Sequence, residues 1–477
     1  MSNPQDSTIL RSRRQTMSIS RRLCLISTVL LLAPPGVPCA AQSPQAPRIP
    51  FEKITLPNGL EVILHVDRSV PIVTVNGWYK VGSGDEKPGR TGFAHLFEHI
   101  MFMGSEHVPV GKFDEWLEAA GANNNGSTTT DRTNYYETGP SNALPLMLWL
   151  DADRMGWLLP TMDKPKVDLQ RDVVQNERRQ NTDNVPYGRA YETLLPVMFP
   201  ADHPYSWPVI GSLTDLSNAS LDDVKEFFRK YYAPNNASIA ITGDFNPDSA
   251  KVWVRKYFGN IPRNTDAPVR PTVPVVNLVR DTVMVLEDRV QLPRLYYAWH
   301  GSKALSADEP AIDALVQILG GGKSSRLYRT LVYEKQIAQD VNMANDANKL
   351  DGMILLNSTA KPGVHPRQIA VEVDAAIRDV AANGITEREL TRVKNGVRAS
   401  LLDELSSVLG KADRLNYYNY FAGTPNYIEQ DLARYERLTA ADVQRAARTF
   451  VAGRPKIILT VVPEGKKELA YTARGTN

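Results

Sequence analysis

The chain has 477 residues, 42% of them hydrophobic and 23% charged, a globular composition too long for one core of about 100–200 residues. Its 55 Lys and Arg nearly balance 53 Asp and Glu, for a formal net charge of +2. Charge therefore gives no ground for nucleic acid or an anionic membrane as partner.

The N-terminal stretch "MSISRRLCLISTVLLLAPPGVPCAAQ" carries a basic pair, an apolar run from Leu23 to Ala33, two prolines and a small-residue end. That order predicts a signal peptide over 1–41, cleaved near Ala41, and the run is too short to span a bilayer. The expected destination is the periplasm, with secretion the second choice and no membrane association after cleavage. Cys24 and Cys39 both fall inside this leader, so the mature chain has no thiol and any metal site must use His and carboxylates.

Beyond a Pro-rich entry, "EVILHVDRSVPIVTVNGWYKVGS" has two β-rich runs flanking Asp67 to Ser69 and predicts a hairpin. "TGFAHLFEHIMFMG" has helical apolar spacing ended by Gly104, and "KFDEWLEAAGA" is an amphipathic helix stopped by Gly121. "GSTTTDRTNYYETGP" reads as a strand. "ALPLMLWLDADRMGW" and the charged "KVDLQRDVVQNERRQNTD" read as helices.

An internal repeat follows. "LDDVKEFFRKYYAPNNASIAITGDF" and "TAADVQRAARTFVAGRPKIILTVVPEG" align on Asp223-Val224 and Asp442-Val443, which sets Tyr231 against Phe450 and Ile239 against Ile458 without a gap. Both read as helix, turn, buried strand, which predicts an internal duplication, the alternative being two similar helix-strand units by chance. "PRNTDAPVRPTVPVV", with Pro262, Pro268, Pro271 and Pro274, has the composition of a stiff linker. The expected fold class is α+β, two similar domains each with a mainly antiparallel sheet packed with helices. The boundaries are 42–262 for the first domain, 263–278 for the linker, 279–470 for the second domain and 471–477 for a tail.

Chemistry concentrates in "HLFEH". On a helix His95 and His99 share a face, and Glu98 lies beside them. Two imidazoles and a carboxylate inside an apolar run are costly to bury unless something pairs with them. A catalytic zinc ion, which takes three protein ligands and keeps a place for water, meets that need, with a nearby carboxylate as base. The spacing is H-x-x-E-H.

With "VVQNERR", "NGSTTTDRTNYY", "YYAPNNASIAITGDF" and "LGGGKSSRLY" in this order, the chain resembles the inverzincin metallopeptidases of family M16, which include pitrilysin, insulin-degrading enzyme and the mitochondrial processing peptidase, here in a bacterial two-domain form. The resemblance implies one zinc ion (Zn2+) per chain, held by His95, His99 and Glu177, with Glu98 as general base. Glu177 lies 78 positions beyond His99. By its neighbours alone, Arg178 and Arg179, it reads as a solvated side chain. Asn125 falls where the family has an Asn that holds the substrate backbone; by the residues alone it is a turn residue before a strand. "STTTDRTNYY" would then be an edge strand to which an extended peptide adds.

Two departures stand out. Gln170 occupies a position, seven before Glu177, where active relatives often have an acid. "LVYEKQIAQ" carries Val332 and Gln339 where self-sufficient relatives place an Arg and a Tyr that reach the substrate. The missing pair implies the zinc-bearing subunit of a heterodimer whose related partner supplies it, with a homodimer as alternative. "GGGKSS" lacks the first glycine of a phosphate-binding loop, having Gln317 there. The expected function is zinc-dependent hydrolysis of peptides or small unfolded polypeptides. The alternatives are a noncatalytic assembly subunit or a dedicated peptide-maturation protease.

Overall fold

Six strands build the first sheet: β1 (Glu52–Thr55), β2 (Glu61–Val66), β3 (Ile72–Tyr79), β4 (Asn123–Thr128), β5 (Thr133–Pro140) and β6 (Ala237–Gly243), in the order β1-β2-β6-β3-β5-β4. The structure is a computed structural model that describes residues 47–472 apart from 267, 269, 271, 272 and 275. The signal peptide expected over 1–41, with Cys24 and Cys39, lies outside the described residues, as do Pro271 of the linker and the end of the tail.

Helices α1 (Phe93–Ile100), α2 (Lys112–Ala119), α3 (Leu144–Trp157), α4 (Lys164–Arg178), α5 (Ala190–Met198), α6 (Leu213–Ser217), α7 (Leu221–Tyr231) and α8 (Pro247–Phe258) belong to the same half of the chain. The second half has β7 (Thr282–Asp288), β8 (Arg294–His300), α9 (Glu309–Gly320), β9 (Asn342–Ala347), β10 (Gly352–Thr359), α10 (Pro366–Asn383), α11 (Glu387–Glu404), α12 (Val408–Phe421), α13 (Ile428–Glu436), α14 (Ala440–Ala446) and β11 (Ile457–Pro463). Its sheet runs β7-β11-β8-β10-β9.

The repeat read from sequence occupies equivalent places in the two sheets. Ile239 of β6 pairs with Val62 of β2 in parallel and Gly77 of β3 antiparallel; Ile458 of β11 pairs with Val283 and Tyr297 in the same two senses. The aligned aspartates close capping boxes. Asp223 accepts from Ser220 N at 3.1 Å and Asp442 from Thr439 N at 2.9 Å, each fixing the start of the helix that leads to the buried strand.

Two expectations are corrected. β2 and β3 do not form a hairpin, because β6 lies between them. Every residue of β6 is buried, and a strand covered on both faces belongs inside a sheet, not at its edge. The stretch read as one strand over 126–140 is a hairpin, with β4 as the edge and a turn closed by Thr129 N donating to Arg132 O at 2.8 Å.

The halves are interlocked. Ala190, Leu194, Leu195 and Met198 of α5 pack on Tyr296, Ala298, Ile457 and Leu459 of the second sheet. In return α12 lies on the first sheet, where Asp413 accepts from Trp78 Nε1 at 3.1 Å and Asn76 Nδ2 at 3.3 Å, and Asn416 donates to Asn76 O at 2.9 Å. The first exchange is apolar; the second combines a polar network with an apolar cluster in which Ala412 and Leu415 of α12 pack on Ile63 and Ala240.

Glu61 joins this second interface, paired with Lys53 and Lys80 and accepting from Asn419 of α12 at 3.0 Å. Burial pushes its carboxyl up, but the two lysines and Asn419 outweigh burial and hold it at about 2. Because the folded value is depressed, the stabilisation is complete above the ordinary value of 4.5 and is lost as pH falls toward about 2. Urea unfolding of Glu61→Gln at a series of pH values should show a stability deficit that shrinks as pH falls through this window; a pH-independent deficit would contradict the assignment.

Candidate metal centre

Helix α1 is short, and its two faces differ sharply. Phe93, Ala94, Leu96, Phe97 and Ile100 are buried, whereas His95, Glu98 and His99 lie at the boundary of the core. Phe97 stacks on Phe227 of α7 with ring centroids 5.4 Å apart, and on Tyr232 at 4.8 Å. At the N-terminus the half-buried Glu86 side chain accepts from Gly92 N at 3.0 Å and Ala94 N at 2.7 Å. These are donors that a helix start leaves unpaired. Gly92 has a φ of 87°, and a Cβ there would meet Ile210 O at 2.8 Å. Only glycine lets the chain enter α1 this close to the 210–211 backbone.

Helix α4 packs its buried Val167 and Val174 into the core shared with α1, which brings Glu177 over the two imidazoles. Glu177 Oε2 is 3.3 Å from His99 Nε2 and 3.8 Å from His95 Nε2, and one ligand atom from each of the three side chains lies within 4.8 Å of the others. Among the described residues this is the one group of three or more His, Cys, Asp or Glu that could hold a metal ion. Arg178 turns away to Gly211 O at 2.8 Å and to Glu192 at 2.7 Å, so it does not neutralise Glu177.

Burial, and then the neighbouring His99, push His95 down to about 4. Burial likewise lowers His99, against the opposing pull of Glu177 and of Gln170, which hydrogen-bonds to it. Both imidazoles are therefore neutral at neutral pH and offer lone pairs, and two nitrogens with one carboxylate oxygen are a donor set that zinc accepts. His95 Nδ1 is buried and has no hydrogen-bond partner. Gln170 Nε2 also contacts Met103 Sδ, in the turn that follows α1, at 2.7 Å, so this side chain ties α4 to the end of α1 beside the imidazole.

Glu98 sits next to the cluster. Its carboxyl is raised by burial, opposed by the hydrogen bond from Thr128, raised further by Glu177 and lowered by Arg132. Thr128 Oγ1 donates to Glu98 Oε2 at 2.6 Å. Strand β4 runs past this side chain: a Cβ on Gly126 would lie 3.0 Å from Glu98 Cγ. Asn125, exposed on β4 and not in a turn, accepts from Gly126 N at 2.8 Å.

Glu86 and Thr128 were not legible beforehand as partners of this helix. In the second half, Val332 packs against the core and Gln339 is exposed. No Arg or Tyr stands at either position.

A family model described as "Insulinase (Peptidase family M16)" matches residues 61–199, and one described as "Peptidase M16 inactive domain" matches 218–397. Zinc protease PqqE of Helicobacter pylori is 31% identical over 437 residues, covering 90% of this chain and 96% of the relative. The crystal structure of a protease from Helicobacter pylori superposes with a TM-score of 0.81 at 28% identity, over 87% of this chain and all of the other. The first half of the periplasmic protease PqqL from Escherichia coli shares the fold at a TM-score of 0.71 and 18% identity, over 90% of this chain and 96% of that one.

Removing the Glu86 carboxylate leaves two buried N–H groups without acceptors at the start of α1, each worth about 1–3 kcal/mol. Glu86→Ala should therefore lower the unfolding free energy by about 2 kcal/mol or more in urea titrations, more than Glu86→Gln, which keeps one acceptor. Equal stability of Glu86→Ala and the wild type would show that the cap is not needed.

Proposed function

The chain belongs to the insulinase family of peptidases, M16, and on that premise we propose that it is a zinc-dependent endopeptidase acting on peptides or small unfolded polypeptides. The convergence of His95 Nε2, His99 Nε2 and Glu177 Oε2 beside Glu98 carries this reading. Relatives named zinc proteases, among them PqqE of Helicobacter pylori, support it. A zinc ion, which these three side chains would hold, would supply a Lewis acid that polarises the scissile carbonyl and acidifies water.

The chain's own groups do the rest. Glu98 takes a proton at Oε1, the oxygen that Thr128 leaves free, and returns it to the departing amine. The outer edge of β4 receives the substrate as an added strand through main-chain hydrogen bonds, with Asn125 in the middle of β4. Gly126 keeps this strand close to Glu98, where a side chain would intrude. Main-chain recognition tolerates many sequences, which favours a scavenging role over maturation of one precursor.

The chain is further read as the zinc-bearing subunit of a heterodimer. Val332 and Gln339 supply neither the Arg nor the Tyr of self-sufficient relatives. The exchanged helices α5 and α12 also tie the halves together, which favours covering of the site by a second chain over hinge motion within this one. A periplasmic location is supported by the sequence over 1–41 and by the periplasmic protease of Escherichia coli that shares the fold. Among the described residues no helix is long and apolar enough to cross a membrane.

The test compares the full chain with Glu98→Gln, each with and without a related subunit carrying the Arg/Tyr pair. The expected result is about one zinc per chain in both. Peptide hydrolysis should fall by about 100-fold or more in the variant, and the rate should rise on adding the partner. Undiminished hydrolysis by Glu98→Gln would overturn the assigned base. A zinc-free chain would favour a noncatalytic subunit, and a rate insensitive to the partner would remove the heterodimer.

A further inference from the structure

Resting on the peptidase reading, the geometry points to Thr128 as a positioning residue for Glu98, so that the strand receiving the substrate also aims the base. The hydroxyl of Thr128 has one proton and two candidate acceptors. Glu98 Oε2 is 2.6 Å away and Thr133 Oγ1 is 3.4 Å away. Thr133 spends its own proton on Val81 O at 3.0 Å, so it cannot donate back, and the proton of Thr128 goes to the carboxylate. A short hydrogen bond to a carboxylate is among the stronger kinds and has a defined direction.

Three further contacts make this bond a constraint on the side chain. First, Glu98 Cγ and Oε1 lie against Gly126 of the same strand, at 3.0 and 3.2 Å from where a Cβ would stand, so β4 touches the base at two alternate residues. Second, the turn that follows Thr128 is pinned from outside. The buried Asp131 accepts from Tyr205 OH at 2.7 Å and from Lys349 N at 2.8 Å, and its carbonyl accepts from Tyr420 OH at 3.1 Å. Third, Arg132 ties the turn back to β4, donating to Ser127 O at 2.8 Å. Lys349 and Tyr420 both come from the second half of the chain. The position of Thr128, and through it that of Glu98, is thus set by the strand and by both halves, not by α1 alone.

The consequence is a fixed distance between a peptide registered on β4 and the oxygen that takes the proton. Misplacing a catalytic group by about 1 Å can cost about 100-fold in rate. Thr128→Val keeps the shape of the side chain and removes the donor, whereas Thr128→Ser keeps the donor. With the full zinc-loaded chain, and its partner subunit where the rate requires one, Thr128→Val should lower kcat by about ten-fold or more. KM should stay within about two-fold, as for a group that acts on the base and not on binding. Thr128→Ser should restore most of kcat, and zinc content and thermal midpoint should match the wild type. A crystal structure of zinc-loaded Thr128→Val should show the Glu98 carboxylate turned from its wild-type direction.

Wild-type kcat in Thr128→Val, or an unmoved Glu98 carboxylate in its structure, would overturn the proposal while leaving the peptidase reading intact. An inactive wild type, or a fully active Glu98→Gln, would instead remove the peptidase reading and this proposal with it. Should Thr128→Val lower the thermal midpoint, Thr128→Ala takes its place under the same criteria.

Discussion

Helix α1 must bury five apolar side chains and keep His95, Glu98 and His99 out of the core on its remaining face, within eight residues. Partly desolvated imidazoles and a carboxylate are unfavourable unless their lone pairs face something that uses them. Much of the surrounding structure answers that constraint. Glu86 fixes the start of the helix, Phe227 and Tyr232 press on Phe97 from behind, α4 brings Glu177 to the open side, and Thr128 holds the carboxylate. Burial keeps the imidazoles neutral, which is the protonation state a metal ion needs.

The duplication gives one order of five strands twice, with β1 added at the edge of the first sheet, but among the described residues only the first half carries the cluster. Where α1 has "HLFEH", the corresponding α9 contributes "IDALVQILG", with Leu315, Val316 and Leu319 buried. The second half instead supports the first: α12 covers one face of its sheet with Asp413 and Asn416, and the turn at Lys349 meets Asp131 at the tip of the β4–β5 hairpin. Alongside the apolar packing of Ala412 and Leu415 on Ile63 and Ala240, the polar groups of this interface demand that each donor find its acceptor, which specifies one arrangement of the halves more strictly than apolar contact alone would. The apolar seat of α5 on the second sheet supplies burial in the other direction.

Local patterns were legible where the physics is local. The matched Asp223-Val224 and Asp442-Val443 pairs made the repeat readable, and the apolar spacing of α1 made its helix readable. The false hairpin between β2 and β3 came from a short link between two β-rich runs, because nothing in residues 61–79 records that β6, more than 150 residues later, inserts between them. Thr128 was hidden for a similar reason. In the run "STTTDRT" several hydroxyls are equivalent by type, and only the turn at 129–132 decides which one meets Glu98. Glu177 was reachable through family resemblance alone, since its neighbours Arg178 and Arg179 suggest an ordinary solvated helix. Asp131 was hidden as well, because the run around it read as one strand and no sequence feature linked it to Tyr205 or Lys349.

The most direct measurement is anomalous X-ray diffraction at the zinc edge from crystals of the zinc-loaded full chain. The account predicts a single strong peak about 2.0–2.2 Å from His95 Nε2, His99 Nε2 and a Glu177 carboxylate oxygen. Zinc bound elsewhere, or a peak at the two histidines from which Glu177 is turned away, would contradict the claim that α1 and α4 are packed together to hold one ion.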